Sequence, residues 1–212
     1  MPHRRTRLMS RLRVVPVSPA AVVNVLGVDP SVTTTGAAVV SFDGLGAVRW
    51  ATWRAVWREQ VPRTLERERA RLRFHVREVL ALVPDVLDLA VVEGPSMRSR
   101  FSGKPDERAG LRWMLIDQLF GRCPVVAVAP ATRALLAAGS GSASKEAVLD
   151  AVRASTPDAH VPDHNVADAV ALATAGAAWL GLPVPYTAAQ RDGLAAVPWP
   201  FDGGHVLAGL ER

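Results

Sequence analysis

Two apolar runs in this sequence end on a carboxylate. Val25-Leu26-Gly27-Val28 is followed by Asp29, and Leu89-Ala90-Val91-Val92 is followed by Glu93. Runs this short, bounded by turn residues and rich in β-branched side chains, read as buried strands. An acid delivered to the end of such a strand is costly beside a core unless something compensates its charge. The pattern therefore asks for a sheet, and for an explanation of what balances the two acids.

The rest of the chain supplies the sheet. Val22 to Val28 predicts a first strand. A polar turn over Ser31 to Gly36 and a second strand from Ala37 to Phe42 follow. Asp43-Gly44 is a hairpin signal leading to a third strand near Ala47–Trp53. Leu65, Leu72, Val76, Val79 and Leu80 recur at helical spacing among Arg and Glu, predicting an amphipathic helix over Thr64–Val83. Leu87–Glu93 is a strand, Ser96–Pro105 a polar, basic loop, Glu107–Phe120 a helix and Val125–Val128 a fifth strand. Pro130 opens a short helix, and Gly139-Ser140-Gly141-Ser142 breaks the chain before another from Ser144 to about Ala154. The last strong helix spans roughly Asn165 to Leu180. Three early strands followed by strands alternating with helices predict an α/β fold, a five-stranded mixed sheet flanked by helices on both faces. Residues 1–22 read as an Arg-rich flexible arm, 23–182 as the folded domain and 183–212 as a loosely attached Pro/Gly-rich tail.

Composition narrows the class. A 212-residue chain that is 49% apolar buries one core of fair size. The single cysteine, Cys123, excludes a disulfide scaffold or a cysteine zinc cluster and is expected simply to be buried. The longest apolar stretch, Ala169 to Val184, is Ala/Gly-rich and broken by Pro183, which suits a buried helix better than a membrane span. With no secretory signal either, the expected location is the cytoplasm. Arg4, Arg5, Arg7, Arg11 and Arg13, in a stretch without acids, account for the whole net charge of +5. The body is neutral on balance, so a basic isoelectric point alone is no argument for nucleic-acid binding.

Asp168, in the first turn of the last helix, joins Asp29 and Glu93 as a third candidate acid. Three converging acids repel one another without a cation, and oxygen-only ligands suit magnesium or manganese. Two such ions held by shared carboxylates hydrolyse phosphodiesters. Taken singly, each acid is better explained as a cap or element end; two matched strand ends and a helical acid favour a site. Asn165 and Asp168, three residues apart, face one point and can share a metal. The same spacing imitates a capping box with Asn165 as N-cap, and Asp163 competes for that position. Gly139 to Lys145 is a glycine-rich turn feeding a helix N-terminus, which favours an anion, with Lys145 as a point charge. It lacks the glycine before the lysine that a Walker loop needs, and an ordinary Ser-capped helix explains it too. Arg98, Arg100, Lys104, Arg108 and Arg112 make the segment after Glu93 basic, suiting either a phosphate backbone or plain solvent exposure. Trp50, Trp53 and Trp57 read as core or partner-surface residues. The five histidines show no ligand spacing, and His164 reads as a surface residue or one behind the site.

Together these blocks resemble the RuvC-type Holliday-junction resolvases of the RNase H-like superfamily. Val25 to Ser31 with Thr34-Thr35-Gly36 is similar to that family's opening strand and turn. Val91-Val92-Glu93 resembles its second acidic strand end. Pro130 with Gly139-x-Gly141-x-Ala143-x-Lys145-Glu146 is similar to its glycine-rich segment and active-site lysine, and Asn165 to Leu172 to its last catalytic helix. The blocks run in the family's order over about Asn24 to Leu180. The resemblance implies an RNase H-like fold and a homodimeric, magnesium-dependent endodeoxyribonuclease, with manganese a possible substitute, that resolves four-way DNA junctions by paired nicks. It implies metal ligation by Asp29, Glu93, Asp168 and Asn165, catalysis by Asp29, Glu93, Asp168 and Lys145, and DNA contacts from Arg98, Arg100, Phe101, Lys104, Arg108, Arg133 and Lys145. No membrane and no nucleotide cofactor are expected. Three departures stand out. Asn165 occupies a position that is acidic or histidine in the family. The aromatic wedge expected soon after the second acid is absent, with Phe101 the nearest candidate. A basic residue aligns with Ala134, leaving neighbouring Arg133 to serve.

Three rivals remain. An actin-like phosphotransferase shares the strand–Asp–Thr–Gly opening but needs a second phosphate loop and normally a longer two-domain chain, neither of which is found. A non-catalytic junction-binding relative draws its support from Asn165. A nuclease of the same fold acting on flapped or otherwise branched DNA is the third.

Overall fold

In the computed structural model, which describes residues 22–43, 45–58, 64–95 and 104–201, side chains of the first strand alternate between two separate cores. The elements run β1 (Val23–Asp29), β2 (Thr34–Phe42), β3 (Val48–Val56), α1 (Leu65–Leu80), β4 (Leu89–Glu93), α2 (Pro105–Phe120), β5 (Val125–Val128), α3 (Pro130–Ala138), α4 (Lys145–Ser155), α5 (His164–Trp179) and α6 (Ala188–Ala195). The strands form one five-stranded sheet in the order β3-β2-β1-β4-β5. β1 is antiparallel to β2 and parallel to β4, β2 is antiparallel to β3, and β4 is parallel to β5. The sheet is therefore mixed, with β1 at its centre and helices on both faces.

The period-2 geometry of a strand explains the layering. Val23 and Val25 of β1, Leu89 and Val91 of β4 and Val126 and Val128 of β5 pack with α3, α4 and α5 on one face. Leu26, Val28, Ala90 and Val92 point the other way, against Val79 of α1 and Leu111, Leu115 and Leu119 of α2. Both faces of β1 and β4 are thus covered, which is why these strands read as continuous apolar runs and not as alternating ones. Trp50 and Trp53, although three residues apart, sit on a strand and face opposite cores. Trp57 meets Phe74 edge-on with ring centroids 5.3 Å apart. Cys123 is buried as expected, and burial pushes its thiol up to about 11.

Two expectations change. The polar turn after β1 is shorter than the sequence predicts, because Thr34, Thr35 and Gly36 already pair with β3 as part of β2. The segment expected as a loose tail is folded as far as Phe201. Thr187 and Gln190 form a reciprocal capping box that starts α6, and Gln190 Nε2 donates to the Leu136 carbonyl at 2.8 Å. Trp199 stacks on Trp179 with centroids 5.1 Å apart, and Trp179 Nε1 donates to the Phe201 carbonyl at 3.1 Å. Prolines and glycines hid a short helix whose stability comes from docking on α3, with Trp199 tying the following segment to α5, and not from its own periodicity.

Candidate active site

The parallel register of β1 and β4 pairs Val25 with Leu89 and Gly27 with Val91. One pleat further on, Asp29 and Glu93 close their strands on the same face, at adjacent carboxyl ends. This is where open α/β sheets bring ligand-binding groups together. The face in question is the one α5 covers.

What brings α5 close enough is the absence of side chains. A Cβ on Gly27 would lie 2.0 Å from the carbonyl oxygen of Ala169, and one on Gly36 2.0 Å from that of Asn165. Backbone meets backbone at both points, and only glycine permits it. The helix starts at Asp163, whose carboxylate accepts from the Val166 amide at 3.1 Å and takes an ion pair from Arg54. Asp163 is therefore the N-cap. The capping box on Asn165 does not form, and Asn165 and Asp168 are left to face the cleft.

Asp29 and Asp168 are 8% and 5% exposed. Burial, then repulsion from Glu93 and Asp168, holds the Asp29 carboxyl well above the usual carboxylate range. Burial likewise pushes Asp168 up to about 7, although Arg133 and Lys145 pull the other way. Arg133 enters from the first turn of α3, which Pro130 opens. Its Nε and one terminal nitrogen donate to Glu93 Oε1 at 3.0 and 2.8 Å, and its other terminal nitrogen lies 2.5 Å from Asp168 Oδ1. Burial disfavours the guanidinium charge, but the surrounding acids outweigh it and raise its pKa further.

These groups line one cleft of about 600 Å³, shared with Asn165, Lys145, Arg108 and Arg112. Lys145 is the first residue of α4, whose N-cap Ser144 accepts from the Ala147 amide at 3.1 Å. The glycine-rich turn is thus a Ser-capped helix start and also a wall of the cleft. Lys104 is not among the lining residues and faces Glu107 at 3.5 Å. Arg98, Arg100, Phe101 and the N-terminal arm lie outside the described residues. The donor set fits a divalent cation in kind, being all oxygen and in excess of negative charge. Among the described residues no group of three or more acidic, histidine or cysteine side chains is closed upon a single metal position.

Two features escaped the sequence reading. Arg133's position between the acids has no signature in spacing. His75, passed over for want of ligand partners, is fully buried and braces the turn that follows Asp29. Its Nε2–H donates to the Val32 carbonyl at 3.1 Å, and its Nδ1 lies 3.1 Å from the Thr35 hydroxyl, which also donates to the Ser31 carbonyl at 2.8 Å.

No family model and no curated protein matches the chain. Solved structures do. The structure of Thermus thermophilus RuvC is 29% identical, with a TM-score of 0.52, over 71% of this chain and 90% of that one. The complex of T. thermophilus RuvC with a Holliday junction substrate gives 27% identity and a TM-score of 0.50 over the same shares. The yeast mitochondrial Holliday junction resolvase Ydc2 is a more distant likeness, at 10% identity and a TM-score of 0.43, covering 85% of this chain and 81% of that one.

Proposed function

Taking the chain as RuvC-type in fold and in the order of its motifs, we propose that it is a structure-selective endodeoxyribonuclease that resolves four-way DNA junctions with the help of magnesium. One observation carries the reading. Asp29, Glu93 and Asp168, from two adjacent strand ends and the helix pressed against them, meet in a single cleft walled by Lys145, Arg108 and Arg112. The T. thermophilus RuvC bound to a Holliday junction supports the choice of substrate.

Asp29, Glu93 and Asp168 would hold the divalent cations, with Asn165 as a neutral oxygen donor. Such ions supply a hydroxide nucleophile at neutral pH and charge stabilisation for the leaving oxygen. The protein's own groups do the rest. Lys145 offers an ammonium to the scissile phosphate as negative charge grows on it. Arg108 and Arg112 hold the backbone of the strand in the cleft, contacts that position the DNA without reading its sequence. Asp29 and Asp168, 8% and 5% exposed, are held at the cleft by the strand and helix that carry them. Paired nicking calls for two copies, and α2 offers a surface for it. Trp113 and Phe120, seven residues apart on one side of the helix, are 61% and 63% exposed.

A second reading, a junction-binding protein without nuclease activity, is favoured by Arg133, which pairs with two of the three acids, and by the uncharged Asn165. One experiment separates the readings. Synthetic four-way, flap and linear duplex DNA are incubated with the wild type and Asp29→Asn, with and without magnesium. Selective, symmetric nicking of the four-way junction by the wild type alone, only with magnesium, is the expected result. Tight junction binding without cleavage in magnesium or manganese would favour the second reading. Preferential cutting of flaps would reassign the substrate.

A further inference from the structure

Arg133 engages all three of its guanidinium nitrogens with the acids of the cleft, and its side chain is only 12% exposed. Two nitrogens go to Glu93 on β4 and the third to Asp168 on α5, so one side chain ties a strand of the sheet to the helix packed over it. The fork geometry of arginine suits this, where a lysine would reach one carboxylate at a time. Its presence supplies a partner for Glu93, one of the two strand-end acids that the sequence left unbalanced. The third acid, Asp29, feels the same guanidinium through space.

We infer that Arg133 is the resident counter-ion of this carboxylate cluster and the group that a divalent cation must displace before the cleft is loaded. The inference rests on the metal-dependent reading above. A guanidinium cannot shed its proton to make room, so relief from repulsion by an incoming cation comes only from movement of the side chain. The carboxylates surround Arg133 and are not closed upon a metal position, as expected of acids arranged about an organic cation. Once released, the same fork of donors is free to take a phosphate, which matches the DNA-contacting role expected of Arg133 from the sequence. Loading and substrate binding then favour one another: the cation frees Arg133, and the phosphate gives it a new partner.

The test uses the full chain without DNA. Manganese binding is measured by titration calorimetry for the wild type, Arg133→Gln and Arg133→Lys, alongside thermal melting in chelator and in saturating manganese. Arg133→Gln should bind manganese at least tenfold more tightly than the wild type, with Arg133→Lys between them. Arg133→Gln should also melt lower than the wild type in chelator, with the gap closing in manganese. Equal or weaker manganese binding by Arg133→Gln overturns the inference while leaving the metal-dependent nuclease in place. Absence of binding by all three proteins overturns both. A measurement on the wild type alone guards against a variant that does not fold. The Arg133 Nε–H should be protected from solvent exchange without metal and lose that protection in saturating magnesium. Unchanged protection in magnesium-bound protein overturns the inference.

Discussion

Gly27 lies directly beneath Ala169: a methyl group on the glycine would sit 2.0 Å from the Ala169 carbonyl oxygen and 2.5 Å from the Ala173 amide nitrogen. The central strand and α5 thus touch backbone to backbone, and the depth of that contact sets the distance between Asp29 and Asp168.

Replacing Gly27 with Ala should therefore cost about 3 kcal/mol or more, at the upper end for overpacking, because the obstructing atoms are backbone and cannot rotate away. Urea denaturation measures this. The same variant should lose cleavage, since α5 and Asp168 must lift off the sheet. Wild-type stability in Gly27→Ala would mean the helix is free to slide.

His75 predicts an acid-sensitive fold. Burial is the main reason its pKa drops from 6.5 to about 4, so the fold rejects the charged ring. The stabilisation tied to the neutral ring is complete above about pH 6.5 and drains away as pH falls through 4, to a total of about 3 kcal/mol. Denaturation curves at pH 7.5, 5.5 and 4.5 should show that loss in the wild type relative to His75→Gln. Parallel pH profiles would show that the ring is solvated.

Asp168 works in the opposite direction in protein free of divalent cations. Its pKa is raised to about 7, so its favourable contribution is full below about pH 4 and disappears as pH rises through 7. Asp168→Asn should be closest to the wild type in stability near pH 4 and gain on it as pH approaches 8. Melting temperatures in chelator across that range decide the matter.

Lys145→Ala should slow junction cleavage by about 100-fold, the order found for loss of one transition-state donor. Manganese affinity without DNA should change little, because the lysine serves the phosphate and not the cation. A single-turnover rate and a calorimetric titration together check both halves.

Trp199→Ala should lower stability by about 2 kcal/mol, less than for a fully buried tryptophan because the ring is only half-buried. Limited proteolysis should then cut between Leu182 and Thr187, where the wild type resists.

The strands and main helices were legible because their signals are local. Alternation, helical spacing and caps act within a few residues, and the order of β1 to β5 follows from them. The three acids were legible too, since a carboxylate after an apolar run conflicts with burial wherever the run is placed. Thr187 and Gln190 carried a capping signal that the surrounding prolines and glycines obscured, and α6 was missed for that reason.

Other features had no local trace. Spacing left the cap of α5 open between Asn165 and Asp163, and the fold gives it to Asp163, which also takes an ion pair from Arg54 on β3, more than a hundred residues away in the chain. His75 became a brace through the meeting of α1 with the turn after β1. Arg133 reached Glu93, forty residues distant, only because α3 lies across the ends of β4 and α5. By itself the sequence determined which residues are apolar, which are charged and where the five strands and the main helices lie, for these are properties of neighbouring residues. The tertiary structure alone decided which charges meet, because desolvation and Coulomb energy depend on distances that the chain acquires only when the glycines of the sheet let α5 close down upon it.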